Sequence, residues 1–327
     1  MSIVLDDTRS VRRGVRAWHR PLVVFAAAMC VWAVVCLAGL LIDPRTLAAD
    51  PIWAKPLKFS VSLALYAVTL AWMLSLLQRP VLRRIGWWAG TIGAAASLLE
   101  IVVISIQVVR GVGSHFNVST PTNQLFYQLM AGGVTLMYCA TLFVGGAVAV
   151  SSTVRDRALT WALRTGLVIA LVGLSVGFLM VVPTAAQLAD PSSGTYGSHS
   201  VRGDDASGGI PLLGWNTVHG DLRVSHFIGM HALQVLPMVA LVLPATMRER
   251  TRLRIVVLAG SAYAAVTAIA LWQALRGQSV LRPDALTIGA VGVVAALVAT
   301  SAVVSVARFR RARPESSSPG QDRTGRS

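Results

Sequence analysis

The sequence is poor in charge and in cysteine. Only 13% of its 327 residues are charged, whereas 54% are hydrophobic. This balance lies outside the range of ordinary soluble domains and indicates a membrane protein. Cysteine occurs three times, always inside a long apolar run, so we expect no disulfide between loops.

Several motifs of known chemistry are also missing. The sequence has no phosphate-binding loop, no nucleophile elbow, no H-E-x-x-H pair and no paired-cysteine zinc motif. Its net charge is +15, from 29 basic and 14 acidic residues. The basic excess lies in short loops and a terminal tail, with no nucleic-acid-binding motif, so we expect no nucleic-acid partner.

Long apolar runs are abundant. Each is long enough to cross a hydrocarbon core of about 30 Å as a helix. We therefore predict an all-α integral membrane fold, an eight-transmembrane-helix bundle over residues 21–308. The predicted spans lie near 21–43, 56–78, 87–109, 123–150, 162–185, 224–246, 254–275 and 285–307.

Basic residues alternate in abundance between the two sides of these spans. One side holds 21 of the 29, in the N-terminus, 79–85, 151–164, 247–254 and the C-terminal tail. By the positive-inside rule this side is cytoplasmic, and so are both termini. We expect residues 1–20 to be a basic cytoplasmic arm, 309–327 a disordered cytoplasmic tail, and 186–223 a long outer loop.

Arginine outnumbers lysine 27 to 2, and alanine and valine are common. This skew indicates a GC-rich bacterial genome, and hence a bacterial cytoplasmic membrane. The two lysines, Lys55 and Lys58, are three residues apart at the start of the second span, so they share a helix face. They either bind a ligand or extend to the membrane interface.

Glu100 is the one acidic residue in the interior of a predicted span. An ionisable group at membrane depth is costly, which makes it a functional candidate, although a structural carboxyl is the alternative. Gln107 follows it by seven residues on the same face, and Arg110 ends the span. His115 and Asn117 come in the loop directly afterwards.

The sixth span adds a second group of polar residues at a similar depth. His231 and Gln234 lie about 10–15 Å below the outer surface, level with Glu100. We predict one outward-facing polar site, on the assumption that the third and sixth spans touch. Glu100 and His231 would be its catalytic acid and base. The predicted ligand-binding residues are Lys55, Lys58, Gln107, Arg110, His115, Asn117, Asp221, Arg223, His226 and Gln234.

Three functions are compatible with this pattern. The first is binding, or acid/base transformation, of a small lipophilic molecule with a polar or anionic head, the bilayer being the other partner. The second is a proton-coupled transporter, which the apolar cytoplasmic halves of the spans disfavour. The third is a haem or metal protein using His115, His226 and His231. His226 and His231 are five residues apart rather than four, so we predict no metal site or cofactor. Oligomeric partners are not indicated.

Overall fold

The computed structural model describes residues 18–47, 50–151, 154, 156–205 and 208–311. They are mostly helical. The helices are α1 (Arg20–Ile42), α2 (Ala54–Ser75), α3 (Pro80–Arg110), α4 (Pro121–Val150), α5 (Arg157–Met180), α6 (Ala185–Ala189), α7 (Leu222–Met230), α8 (Ala232–Val242), α9 (Glu249–Leu275) and α10 (Ala285–Arg311). Two antiparallel pairs of short strands join β1 (Thr46–Leu47) to β2 (Asp50–Pro51) and β3 (Ser200–Val201) to β4 (Gly220–Asp221).

Seven helical segments are long and apolar enough to cross a membrane. The chain is therefore a multi-pass helical membrane protein, and seven of the eight predicted spans are confirmed as such segments. The eighth coincides with α10, whose described apolar part is the shorter stretch Ala285–Ser301, so an eighth crossing stays a prediction. The seven are Arg20–Ile42, Ala54–Ser75, Pro80–Arg110, Pro121–Val150, Arg157–Ala189, Leu222–Val242 and Glu249–Leu275.

Helix boundaries follow local sequence signals. α3 and α4 each begin with a proline, whose fixed φ suits the first helical turn. Asp156 caps α5 by accepting hydrogen bonds from the backbone N–H groups of Ala158 and Leu159. α3 ends at Gly111, which adopts the left-handed conformation with φ of 72°. α3 starts seven residues before the predicted span because Pro80 opens it within the basic loop.

The helices pack as two neighbouring groups with a shared core. α1 lies along α2, and α3 along α4, while α5 packs against α7, α8 and α9. The largest buried cluster draws on both groups, since Leu22 of α1, Leu70 of α2 and Leu233 of α8 all belong to it. α10 is peripheral and packs mainly against α9.

One end of the bundle carries the longer connections, and we call it the capped end. Its described residues are 43–47, 50–53, 111–120, 181–205, 208–221 and 276–284. Asn216, which is fully buried, organises the longest of these connections. Its side chain donates to Ser200 Oγ and to the carbonyl of Asp204, and its carbonyl accepts from Ser279 Oγ.

The predicted terminal segments fall largely outside the described residues. The basic arm 1–20 is described only from residue 18, and the tail 309–327 only up to residue 311. The predicted outer loop 186–223 overlaps the third capped-end connection, which begins five residues earlier, after α5, and ends where α7 begins at Leu222.

Two glycines allow α5 and α7 to approach closely. An ideal Cβ on Gly173 would lie 2.6 Å from the Cα of Gly229, closer than real side chains come to backbone. Small residues at membrane-helix contacts permit this kind of approach. The same contact is strengthened by His226, whose Nδ1 donates a hydrogen bond to the Gly173 carbonyl at 2.8 Å.

We therefore expect Gly173→Ala to destabilise the protein by about 1–3 kcal/mol, the usual cost of overpacking. Gly132→Ala is the matched control, because an ideal Cβ there meets nothing within 4 Å. That change should be neutral or slightly stabilising, since alanine favours helix over glycine. Thermal unfolding of both variants in detergent measures the difference. Equal midpoints would contradict the close approach.

Candidate functional site

The buried carboxyl of Glu100 is linked to the capped end by two further side chains. Glu100 is 1% exposed, and its Oε1 lies 3.3 Å from His115 Nε2. The other ring nitrogen, Nδ1, lies 3.0 Å from the Nζ of Lys55. We call this arrangement the Lys55–His115–Glu100 chain. It joins α2, the α3–α4 loop and the middle of α3.

The Lys55–His115–Glu100 chain determines which ring nitrogen of His115 carries the proton. A lysine ammonium has only donors, so Nδ1 of His115 accepts from Lys55. Nε2 then carries the ring proton and presents it to Glu100. Burial, together with the charge of Lys55, lowers the pKa of His115, and the opposing effect of Glu100 is smaller. The imidazole is therefore neutral at pH 7.

The carboxyl of Glu100 has unused acceptor capacity. Neither oxygen accepts an aligned hydrogen bond from any residue within the described ranges, although His115 Nε2 is near. Gly133 of α4 faces this carboxyl, and an ideal Cβ there would lie 3.8 Å from Oε2. Because buried polar atoms are normally paired, an unpaired carboxylate points to a missing partner.

His231 lies with Ser62 rather than with Glu100. Its Nε2 is 3.1 Å from Ser62 Oγ. The assumed contact between the third and sixth spans is thus mediated by α2, which meets α3 on one side and α8 on the other. Lys55 and Ser62 are seven residues apart on α2. The same face of α2 therefore carries the side chain that contacts His115 and the side chain that contacts His231.

Gln107 and Arg110 build the α3–α4 turn. Arg110 Nη1 donates to Gln107 Oε1 at 2.6 Å and to Asn123 Oδ1 at 2.8 Å. Gln107 Nε2 donates to the same Asn123 oxygen and to the Gly113 carbonyl, which also accepts from Asn117 Nδ2. These hydrogen bonds hold the loop that carries His115.

Two more of the predicted ligand-binding cations hold the capped end in place. Lys58 Nζ donates to the Leu213 carbonyl at 2.7 Å. Arg223 contacts both carboxylate oxygens of Asp221 and donates to the Gly214 carbonyl. Asp221 is itself buried and accepts from the Asn216 backbone at 2.7 Å. With Arg110, three of the four predicted cations are therefore held by protein oxygens, whereas Lys55 contacts His115.

His226 and Gln234 complete the predicted set. His226 is engaged with the Gly173 carbonyl. Gln234 adjoins His231, and its Oε1 is buried with no hydrogen-bond partner in the part of the chain that the structure describes. Gln234 thus resembles Glu100 in having a buried acceptor oxygen that makes no hydrogen bond with the described residues.

A second histidine–carboxylate pair, His199 and Asp205, was not singled out from the sequence. Nδ1 of His199 lies 3.2 Å from Asp205 Oδ2, and the ring packs edge-on against Phe116. Burial lowers the pKa of His199 to about 4, and Arg223 and Lys55 add to this. The hydrogen bond that His199 donates to Asp205 opposes this lowering of the pKa without overcoming it. A histidine six residues before an aspartate in an outer loop was the only available signal.

The described residues contain no group of three or more histidine, cysteine or acidic side chains able to hold a metal ion.

Comparison with protein-family models, with curated proteins and with solved structures finds no match to this chain.

The low pKa of His199 predicts acid sensitivity. Between pH 6.5 and about 4, His199 is protonated in the unfolded chain but not in the folded protein. The free energy of unfolding therefore falls as the pH drops through this range. His199→Gln should remove on the order of 2 kcal/mol of that loss between pH 7 and 4.5. Thermal unfolding in detergent at both pH values measures it.

Asp205 does not confound this measurement. Burial alone would raise its pKa, but hydrogen bonds from His199 and Ser200 outweigh burial and lower it below the ordinary 3.8. Its contribution is therefore lost only at more acidic pH. An unchanged pH dependence in His199→Gln would show that His199 takes up its proton normally in the fold.

Proposed function

We propose that this protein binds a small lipophilic molecule with a polar head at the capped end, and that Glu100 exchanges a proton with that molecule. Glu100 is the general acid or base, and His115 relays protons to it. The observation that carries this proposal is the Lys55–His115–Glu100 chain, which ends on a buried carboxyl that accepts no aligned hydrogen bond from the described residues.

The relay follows from the two ends of the imidazole. When Glu100 gives up a proton to the ligand, the Nε2 proton of His115 replaces it, and Nδ1 takes up another from the capped-end side. Lys55 keeps Nδ1 as the acceptor in the resting state. His115 is 22% exposed, so protons reach it from solvent, whereas Glu100 is screened.

Lys55 is the cation best placed to attract an anionic part of the head. Its ammonium has three donors, of which His115 uses one. Lys58, Arg110 and Arg223 are held by protein oxygens, and they support the site by fixing its walls. A head that also carries a hydroxyl or amine would satisfy the free oxygens of Glu100.

A proton-coupled transporter is the alternative. It requires a proton path to the opposite end of the bundle. The polar side chains that lie towards that end include Tyr66 and Thr141. The Thr141 hydroxyl donates a hydrogen bond to the Tyr66 hydroxyl at 3.1 Å. Tyr66 belongs to the apolar core cluster that also contains Leu22, Leu70 and Val144. Because this cluster offers no polar path for a proton, it favours a site open to one side only. Proton flux in proteoliposomes under a pH gradient, read with an internal dye, discriminates the two.

We also propose eight crossings in a bacterial cytoplasmic membrane, with both termini in the cytoplasm. The alternation of basic residues and the 27-residue length of α10 support this.

Reporter fusions test that topology in a bacterial host. Alkaline phosphatase should be active when fused after residue 280, in the connection between α9 and α10, because it folds only outside the cytoplasm. A fluorescent protein fused after residue 327 should fluoresce, because it folds inside. Phosphatase activity when that enzyme is instead fused after residue 327 would contradict eight crossings.

Dicyclohexylcarbodiimide tests the site itself. It is a small lipophilic molecule that takes a proton from a carboxyl and is then attacked by the carboxylate. We expect an adduct on Glu100 in the purified protein and at least about tenfold less labelling in Glu100→Gln, read by peptide mass spectrometry.

Glu249→Gln is the matched control, because the Glu249 side chain is 56% exposed and lies at the end of the bundle opposite to the capped end. This variant should keep the Glu100 adduct. Labelling of wild-type protein that spares Glu100 would overturn the acid/base role.

A further inference from the structure

Ser62 departs from the pattern of the other hydroxyls in the membrane helices. A serine or threonine within a membrane helix commonly donates to the carbonyl one turn earlier. Here Ser60, Ser97, Ser105, Thr135 and Thr141 all do so. The hydroxyl of Ser62 instead meets an imidazole on another helix, His231 Nε2, at 3.1 Å.

His231 stands at an interruption in the sixth crossing. α7 ends at Met230 and α8 begins at Ala232, so His231 lies between two helices. Irregular backbone at membrane depth is tolerated where it lines a cavity or is buried in protein. Phe227 packs edge-on against the ring at 4.6 Å and is itself 41% exposed.

The pair is accessible from the side of the bundle. Ser62 and His231 are both only partly buried, although the neighbouring Ala232 and Leu233 are fully buried. α2 and α8 touch over a short stretch. The hydroxyl is therefore not sealed inside the bundle, and a small molecule can reach it.

We infer that Ser62 and His231 form a nucleophile–base pair that acts on an acyl ester of a lipophilic molecule. A hydroxyl within hydrogen-bond reach of an imidazole is the arrangement that activates serine. The inference is independent of the Lys55–His115–Glu100 chain, since no residue is shared. It assigns a second activity to the same half of the bundle.

The reaction is ester hydrolysis in two steps, with water as the co-reactant. As Ser62 Oγ bonds to the ester carbonyl carbon, its proton passes to His231 Nε2. The bond to the alcohol oxygen breaks, and His231 gives the proton to that oxygen. Water then attacks the acyl-serine with the help of the same imidazole, which releases the acid and restores Ser62.

Gln234 suggests a feature of the substrate. Its Oε1 is a buried acceptor without a partner among the described residues, one helical turn after His231. A substrate with a hydroxyl or amide N–H beside the ester would supply the missing donor. Satisfying such a buried atom contributes to specificity, because an analogue lacking the donor leaves it unpaired.

A long-chain alkyl fluorophosphonate tests this inference on the full-length protein in detergent. The Ser62 oxygen would attack phosphorus, fluoride would leave, and the proton would pass to His231. Mass spectrometry should locate the adduct on Ser62, and Ser62→Ala should abolish it. His231→Asn should slow labelling by about 10²-fold, the contribution of a general base.

Ser60→Ala is the control, since Ser60 lies two residues away on α2 with its hydroxyl bonded to the Pro56 carbonyl. That variant should label at the wild-type rate. Co-elution with wild type on size exclusion verifies that each variant is folded. Absence of a Ser62 adduct in wild-type protein, or equal labelling in His231→Asn, would overturn the inference.

Discussion

The cost of placing polar groups away from water governs this structure. A buried polar atom without a partner loses on the order of 1–3 kcal/mol, and a buried charge loses more. At the capped end hydrogen bonds compensate for this cost at most buried polar residues. Asn216, Asp221 and Gln107 are examples, since each is buried and hydrogen-bonded. Among the buried side-chain acceptors, the oxygens of Glu100 and Gln234 are the departures, because they accept no aligned hydrogen bond from the described residues. An exception to so general a rule points to a ligand that would supply the missing hydrogen bond.

α2 links the two polar pairs because its sequence places them on one face. Lys55, Phe59, Ser62 and Tyr66 recur at the spacing of successive helical turns. Lys55 meets the α3–α4 loop, Ser62 meets the interruption between α7 and α8, and Phe59 packs beside His115. A helix between two others is the only element that can present side chains to both. The third and sixth crossings therefore need not touch for their residues to serve one region.

Depth along each helix could be predicted from the sequence, but lateral pairing could not. A rise of about 1.5 Å per residue puts Glu100 some 15 Å from the end of α3, and His231 about 13 Å from the start of α7. By that argument both residues lie at one level. The rise per residue does not say which helices are neighbours, because a hydrophobic pattern is similar for every order of packing. His115 was expected near the site, but its role between Lys55 and Glu100 depends on how the loop is held by Arg110 and Asn123. His199 and Asp205 were missed because pairing within a long loop leaves no periodic signal.

The geometry of α2 also bears on whether the two pairs act on one molecule. Lys55 and Ser62 are seven residues apart, so about 10 Å of helix separates the cation from the hydroxyl. An elongated molecule lying along this face would place its head at Lys55 and His115 while its ester reached Ser62. Phe59 lies between them and offers an apolar surface to the intervening carbons. One substrate with a polar head and an ester about 10 Å away would then engage both pairs, whereas a compact substrate would engage only one. The length of the bound molecule therefore decides between a single composite site and two neighbouring ones.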